Sequence, residues 1–173
     1  MTKLKVLTAP HPILKKKALP VEAVDIEERQ LMNDMLATMY ESNGVGLAAN
    51  QVGVLKRILV IDLGDNDDSH RPEGFYPLFM ANPEIKEFFG KMIEAKEGCL
   101  SVPEERIMVT RPAGVKVKYL DYNNEMQELE DDTWLARAIQ HEMDHLDGKL
   151  LVDYLSNLKK SVVLRRLTKL KNI

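Results

Sequence analysis

The sequence has one cysteine, four histidines and no apolar run long enough to cross a bilayer. The single cysteine, Cys99, excludes an intrachain disulfide and favours a reducing compartment. A membrane span needs about 20 consecutive apolar residues, and the N-terminus lacks the apolar core of a secretory signal. The net charge of −3 argues against a protein built mainly to bind nucleic acid. These absences predict a cytoplasmic protein with no membrane partner.

The composition that remains favours one globular domain. With 173 residues, 45% hydrophobic and 29% charged, the chain can bury a core, and we expect a single catalytic domain over 1–173. Apolar residues at helical spacing, together with capping signals, predict three helices: 25–41, a segment from Asp132 or Thr133 to Gly148, and 155–171.

Strand-type runs lie between these helices. They are 57–62, 78–85 with a break at Asn82-Pro83, 91–102, and a hairpin about Asn123-Asn124. The segment 64–74 is acidic and rich in turn-forming residues, so we expect a solvated loop there. Helices toward both ends and strands in the middle predict an α+β fold.

The run His141-Glu142-Met143-Asp144-His145 carries the strongest chemical signal. Histidines four residues apart lie on one face of a helix, so both imidazoles can reach one divalent metal ion. The glutamate between them can act as a general base beside the metal without being a ligand. The pattern predicts metal-assisted hydrolysis of an amide-like bond.

A catalytic site of this kind needs a third protein ligand. No His, Glu or Cys follows His145, so the usual downstream ligand of zinc peptidases is absent. The upstream candidates are His11, His70, Cys99 and several carboxylates. We favour Cys99 because a thiolate binds transition metals strongly, although a lone cysteine is often an inert core residue. The alternative is a zinc-dependent peptidase, whose activity would persist in Cys99→Ala.

Three motifs in order resemble those of the peptide deformylase family, in its bacterial type with a C-terminal helix. They are GVGLAANQ at 44–51, EGCLS at 97–101 and QHEMDH at 140–145. The resemblance implies mainly antiparallel sheets around a central HExxH helix, with helices at both ends. It implies removal of the formyl group from N-formylmethionine of newly made polypeptides, which releases formate.

The resemblance also implies the site residues. Cys99, His141 and His145 should bind one metal ion, most commonly Fe(II), with zinc, nickel or cobalt as alternatives; the ligand types alone would favour zinc. Water bound to the metal should be the nucleophile, and Glu142 should transfer its proton to the leaving amine. The side-chain amide of Gln51 and the backbone N–H of Leu100 should stabilise the oxyanion.

Substrate binding should use main-chain groups, because these accept many nascent chains alike. The resemblance implies that the substrate pairs as an added strand with the backbone of Val45-Gly46 and Glu97-Gly98. Leu100 and the helix face one turn before His141 should then line the methionine pocket. Arg137 lies on that face, where an apolar residue is expected. Two placements are open: the stem lies along the pocket with the charge in solvent, or the side chain points inward and alters the side-chain preference.

The C-terminal segment is basic in a protein that is acidic overall. From Tyr154 onward there are six Lys or Arg residues and no acidic residue. A solvated amphipathic helix is one explanation, and a contact with ribosomal RNA, implied by the resemblance, is the other. The expected apolar face of this helix is Leu155, Leu158, Val162, Val163, Leu167 and Leu170.

Overall fold

The computed structural model describes residues 2–171, and these form three α-helices, five strands and several short 3-10 turns. The helices are α1, Ile26–Glu41; α2, Trp134–Leu146; and α3, Asn157–Lys171. The strands are β1, Gly46–Ala48; β2, Ile58–Ile61; β3, Leu78–Cys99; β4, Val102–Leu120; and β5, Met126–Asp131. No helix within 2–171 is long and apolar enough to cross a membrane.

The predicted starts of the first two α-helices are confirmed. Asp25 caps α1 in a capping box with Glu28, which satisfies backbone N–H groups that the first helical turn leaves free. Thr133 caps α2. Gly148 follows the end of α2 with φ +76°, and a Cβ at that position would overlap the backbone carbonyl of Lys15. The α2 helix therefore stops where another segment of the chain packs closely against it.

All five strands belong to one antiparallel sheet in the order β1-β2-β3-β4-β5. The predicted break at Asn82-Pro83 is confirmed as an irregularity of the ladder, although β3 continues through it. A β-bulge shifts the register between Ala81 and Glu84. Pro83, which has no backbone N–H to donate, therefore lies outside the regular hydrogen-bond ladder. Asn82 adopts φ +48°, and its amide exchanges two hydrogen bonds with the backbone of Val21.

Helix α2 lies at the centre of the fold. Ten of its thirteen residues are buried, and its apolar side packs on a core cluster that includes Leu59, Ile61, Val115 and Val117. The predicted α+β fold around a central HExxH helix is confirmed. A single sheet serves in place of several because β3 and β4 are 22 and 19 residues long and change register at bulges.

The predicted apolar face of α3 is confirmed for Val163 and Leu167, and Leu155 packs on the same cluster, but it is wrong for the other three residues. Only Val163 and Leu167 are buried, whereas Leu158, Val162 and Leu170 are 77%, 59% and 46% exposed. The helix buries one narrow edge against the cluster that contains Val102, Ile107 and Leu150, so its other sides stay in solvent. Residues 1, 172 and 173 of the expected domain lie outside the described residues.

The acidic segment 64–74 is anchored rather than freely solvated. Arg71 pairs with Asp67 at 2.8 Å and with Asp131, just before α2, at 2.9 Å. Tyr76 also donates to Asp67. Burial raises the pKa of Asp67, but the hydrogen bonds from Tyr76 and Arg71 lower it by more, so the net pKa lies well below its usual range. These contacts hold the loop against the N-terminus of α2.

Candidate active site

The fold brings Cys99, His141 and His145 together, although Cys99 is more than 40 residues from either histidine in sequence. Their ligand atoms all lie within 4.8 Å of one another, and Cys99 Sγ is 3.2 Å from His145 Nε2. Cys99 ends β3 at the turn into β4. Of the other candidates, His11 instead accepts a hydrogen bond from the backbone of Ile13.

The donor set fits a transition-metal ion. Burial raises the pKa of the Cys99 thiol, but the imidazoles of His145 and His141 lower it more, so the net pKa lies well below its usual value. The thiolate form that binds metals is thus favoured. One sulfur and two nitrogen donors suit iron or zinc better than calcium or magnesium, which prefer oxygen ligands.

Glu142 lies beside these ligands with an unused oxygen. Its side chain is buried, and Oε1 has no hydrogen-bond partner among residues 2–171. Burial raises the pKa of Glu142, which the neighbouring His141 and His145 only partly offset. A Cβ on Gly46 would overlap Oε2 of Glu142 and lie 3.0 Å from its Cδ. Only glycine at 46 therefore lets the β1 backbone come this close to the carboxylate.

Gln51 is held in one orientation. Its Oε1 accepts a hydrogen bond from the backbone N–H of Ala48 at 2.9 Å, which identifies Nε2 as the end that faces the site. That nitrogen donates to Ser101 Oγ at 3.0 Å and lies 3.7 Å from Cys99 Sγ. The structure therefore places an uncharged, oriented donor next to Cys99.

The side chain of Glu97 joins the site in a way that the sequence did not reveal. Oε1 accepts hydrogen bonds from His141 Nδ1 and from Arg111, both at 2.9 Å. Oε2 accepts from Arg111 at 2.7 Å and from Arg137 at 2.6 Å. Burial raises the pKa of Glu97, but the bonds from Arg111 and His141 lower it to about 2. The ionised carboxylate orients the imidazole of His141, so that Nε2 could bind a metal ion.

Of the two placements left open for Arg137, the structure shows the inward one. This residue is 7% exposed, and besides Glu97 it donates to the carbonyl oxygens of Val109 and Ile93. The interior supplies a carboxylate and two carbonyls, so the charge is compensated without water. The signal in the sequence was the four-residue spacing of Arg137 and His141, which directs both side chains toward one neighbour.

A cavity of about 900 Å³ opens beside these residues. Its wall includes the metal-ligand candidates Cys99 and His141 together with Gln51, Leu100 and Glu142. The backbone segments predicted to bind substrate, Val45-Gly46 and Glu97-Gly98, also line it. The predicted site residues therefore face one cavity, apart from His145, which lies behind its surface.

A family model described as polypeptide deformylase matches residues 3–161. The chain belongs to the polypeptide deformylase family. Peptide deformylase 1 of Rickettsia conorii is 57% identical over 172 residues, which cover 99% of this chain and 98% of that protein. The deformylase of Rickettsia typhi is 59% identical over 167 residues, or 96% of this chain and 95% of that protein.

Solved deformylase structures share the fold. The crystal structure of the peptide deformylase of Ehrlichia chaffeensis in complex with actinonin is 38% identical, with a TM-score of 0.93 over 100% of both chains. The enzyme of Legionella pneumophila is 42% identical, with a TM-score of 0.87 over 99% of this chain and 96% of that one. This protein is therefore an enzyme with the deformylase fold, and the resemblance of the three motifs is confirmed.

Proposed function

We propose that this enzyme, acting as a single catalytic domain, hydrolyses the formyl group from N-formylmethionine of newly made polypeptides and releases formate. The observation that carries the proposal is the cluster of one thiolate and two imidazoles, together with a glutamate that has an unpartnered oxygen, beside one cavity. The family to which the chain belongs supports the choice of a formyl amide over an internal peptide bond.

Cys99, His141 and His145 would hold one divalent metal ion. When bound there, the ion supplies Lewis acidity and lowers the pKa of a water molecule. We propose Fe(II) in the cell, with zinc, nickel or cobalt as substitutes, because a mixed sulfur and nitrogen donor set accepts all four. The low pKa of Cys99 supports its role as a thiolate ligand.

Glu142 then takes a proton from the attacking water and gives it to the leaving amine. Two features support this role. The free Oε1 is ready to accept a hydrogen bond, and the raised pKa brings the carboxyl closer to the working pH, which favours both halves of the transfer.

Gln51 and the backbone N–H of Leu100 would stabilise the negative charge that develops on the formyl oxygen. The contact of Gln51 Nε2 with Cys99 Sγ is long, at 3.7 Å, so one amide hydrogen can be given to the substrate. Since Ala48 and Ser101 hold the amide, little reorganisation is needed when charge develops.

The substrate backbone would bind between two free strand edges. β1 is at the end of the sheet, so the outer edge of Val45-Gly46 has no strand partner within residues 2–171. At Glu97-Gly98, β3 pairs only with β4. An extended peptide can add its main-chain hydrogen bonds to both edges and place its first side chain toward α2.

Formate release from a formyl-Met peptide tests the proposal. Protein loaded with Fe(II) without oxygen should release formate, and Glu142→Gln, which keeps the shape, should slow release by about 10²–10⁴-fold. Cys99→Ala should lose bound metal and activity, whereas the peptidase alternative predicts that this variant stays active. The same peptide without its formyl group should stay intact. Absence of formate from wild-type protein that carries iron would refute the proposal.

We also propose a cytoplasmic enzyme whose α3 contacts the ribosome. Among the six cationic side chains of this helix, Lys160 pairs with Asp153, and Arg166 with Glu104 and Glu105. The other four are exposed: Lys159, Arg165, Lys169 and Lys171. Free cations on an exposed helix suit a phosphate backbone.

Ribosome pelleting at two salt concentrations tests this contact. Arg165→Glu combined with Lys169→Glu should reduce pelleting and its salt dependence, because two cations are replaced by anions. The matched control is the same change at Lys86 and Lys91 on β3. Equal pelleting of both double variants and wild type would contradict the contact.

A further inference from the structure

Arg137 forms part of the cavity wall on α2, between Trp134 and Ala138, which also line the cavity. It precedes His141 by one helical turn, so it lies on the side of the cavity toward which the proposed substrate would direct its first side chain. The wall at this point therefore contains a guanidinium group rather than a hydrocarbon.

The guanidinium is fixed by three hydrogen bonds. Nη1 donates to Glu97 Oε2 at 2.6 Å and to Val109 O at 3.0 Å, and Nη2 donates to Ile93 O at 2.6 Å. The ring centroid of Trp134 lies 5.7 Å from the guanidinium carbon. Two of the five N–H groups, at Nε and Nη2, have no acceptor within residues 2–171. Nε is not among the buried atoms that lack a partner, so it is accessible, and Arg137 lines the cavity. The Nε–H group is therefore a donor that a ligand in the cavity can meet.

We infer that Arg137 is a specificity-determining residue that favours substrate side chains carrying a hydrogen-bond acceptor. This inference rests on the proposed deformylation. Methionine offers a weakly accepting thioether sulfur, whereas norleucine has nearly the same shape with a methylene in its place. Methionine sulfoxide offers a strongly accepting oxygen. The enzyme should therefore prefer formyl-Met to formyl-norleucine peptides and should also accept formyl-methionine sulfoxide peptides.

The expected effects are ratios between substrates. One net hydrogen bond corresponds to about a five-fold difference, so kcat/KM for formyl-Met should exceed that for formyl-norleucine by about that factor. Arg137→Leu should bring this ratio close to one. It should also reduce kcat/KM for the sulfoxide peptide, relative to norleucine, by about ten-fold or more, because a buried S=O would lose its donor. Arg137→Lys, which keeps a donor, should restore part of the sulfoxide activity.

Arg111→Leu is the matched control. Arg111 donates to the same Glu97 carboxylate but does not line the cavity, so its loss should slow all three peptides by similar factors. Ratios measured on one enzyme preparation also cancel any loss of folded protein.

Three results would overturn the inference. Equal kcat/KM for formyl-Met and formyl-norleucine in wild type is the first. The second is an unchanged set of ratios in Arg137→Leu, and the third is the same change of ratios in Arg111→Leu. All three leave deformylation intact, whereas failure to release formate from any of the peptides would overturn the proposed function and this inference with it.

Discussion

Replacing Gly46 by alanine tests how closely the β1 backbone approaches the proposed general base. A Cβ at this position would overlap Oε2 of Glu142 and lie 3.0 Å from Cδ and 3.2 Å from Cγ. Non-bonded carbons prefer about 3.5–4.0 Å, so the carboxylate must move by about 1 Å. Because Glu142 is buried on α2, it cannot relieve the contact by turning into solvent.

The displacement should lower kcat rather than the affinity for substrate. A misplacement of about 1 Å in a catalytic group costs on the order of 100-fold in rate. Since the three nearest atoms to the new methyl all belong to Glu142, bound metal should remain near the wild-type level. The overpacking should cost no more than about 2 kcal/mol of unfolding free energy. Formate release, metal analysis and urea denaturation measure the three quantities.

Two further variants separate the contact from a general disturbance. Gly44→Ala places its methyl 2.8 Å from Leu100 Cδ1, the far end of a side chain that can rotate, so kcat should fall by less than about ten-fold. In the Gly46→Ala background, Glu142→Asp should lower kcat by a smaller factor than it does in wild type, because the shorter side chain leaves room for the methyl group. Two results would refute the reasoning: an unchanged kcat in Gly46→Ala, or a fall in kcat that is fully explained by a fall in bound metal.

Three other outcomes are expected. Arg71→Gln should lower the unfolding free energy in urea by about 2–4 kcal/mol, since Asp67 and Asp131 lose their cation. Because the pKa of Asp67 is depressed, the stabilisation by this ion pair is present above about pH 4 and is lost as the pH falls further. Leu167→Ala should lower the unfolding free energy by about 2–4 kcal/mol, whereas Leu158→Ala, at an exposed position, should lower it by less than about 0.5 kcal/mol. Equal losses of unfolding free energy would contradict the burial of one narrow edge of α3. Chelation should abolish formate release, and Fe(II) added without oxygen should restore it; full activity in metal-free protein would exclude the proposed metal.

Short-range patterns in the sequence predicted those features that depend on neighbouring residues. The apolar spacing over 25–41, the cap at Thr133 and the HExxH spacing act within a few helical turns, so α1 and α2 could be located without tertiary information. Cys99 and Gln51 are distant from α2 in the chain. Thiolate chemistry already favoured Cys99 as the third ligand, whereas only the matched motifs suggested that Gln51 belongs to the site. The residues alone left two other types of third ligand open, histidine and carboxylate.

Features that depend on strand register were not predictable in the same way. The runs 78–85 and 91–102, expected as separate strands, belong to one strand as far as Cys99, because β3 stays paired with β4 across the residues between them and across the bulge at Asn82-Pro83. For α3, the sequence showed six apolar residues at helical spacing, but only the packed structure decided that Val163 and Leu167 are the ones covered. Helical spacing predicts which residues share a face, not how wide the opposing surface is.

The sequence by itself determined the chemistry of this protein: two imidazoles and a glutamate on one helix, and the motifs that add a thiolate and an amide. Only the tertiary structure decided what surrounds that chemistry. Glu97 orients His141, and Arg137 is held in the cavity wall, because β3, β4 and α2 meet there and bring a carboxylate, a guanidinium and backbone carbonyls together. Each of these contacts spans at least 28 residues of sequence, a distance over which local propensity carries no information.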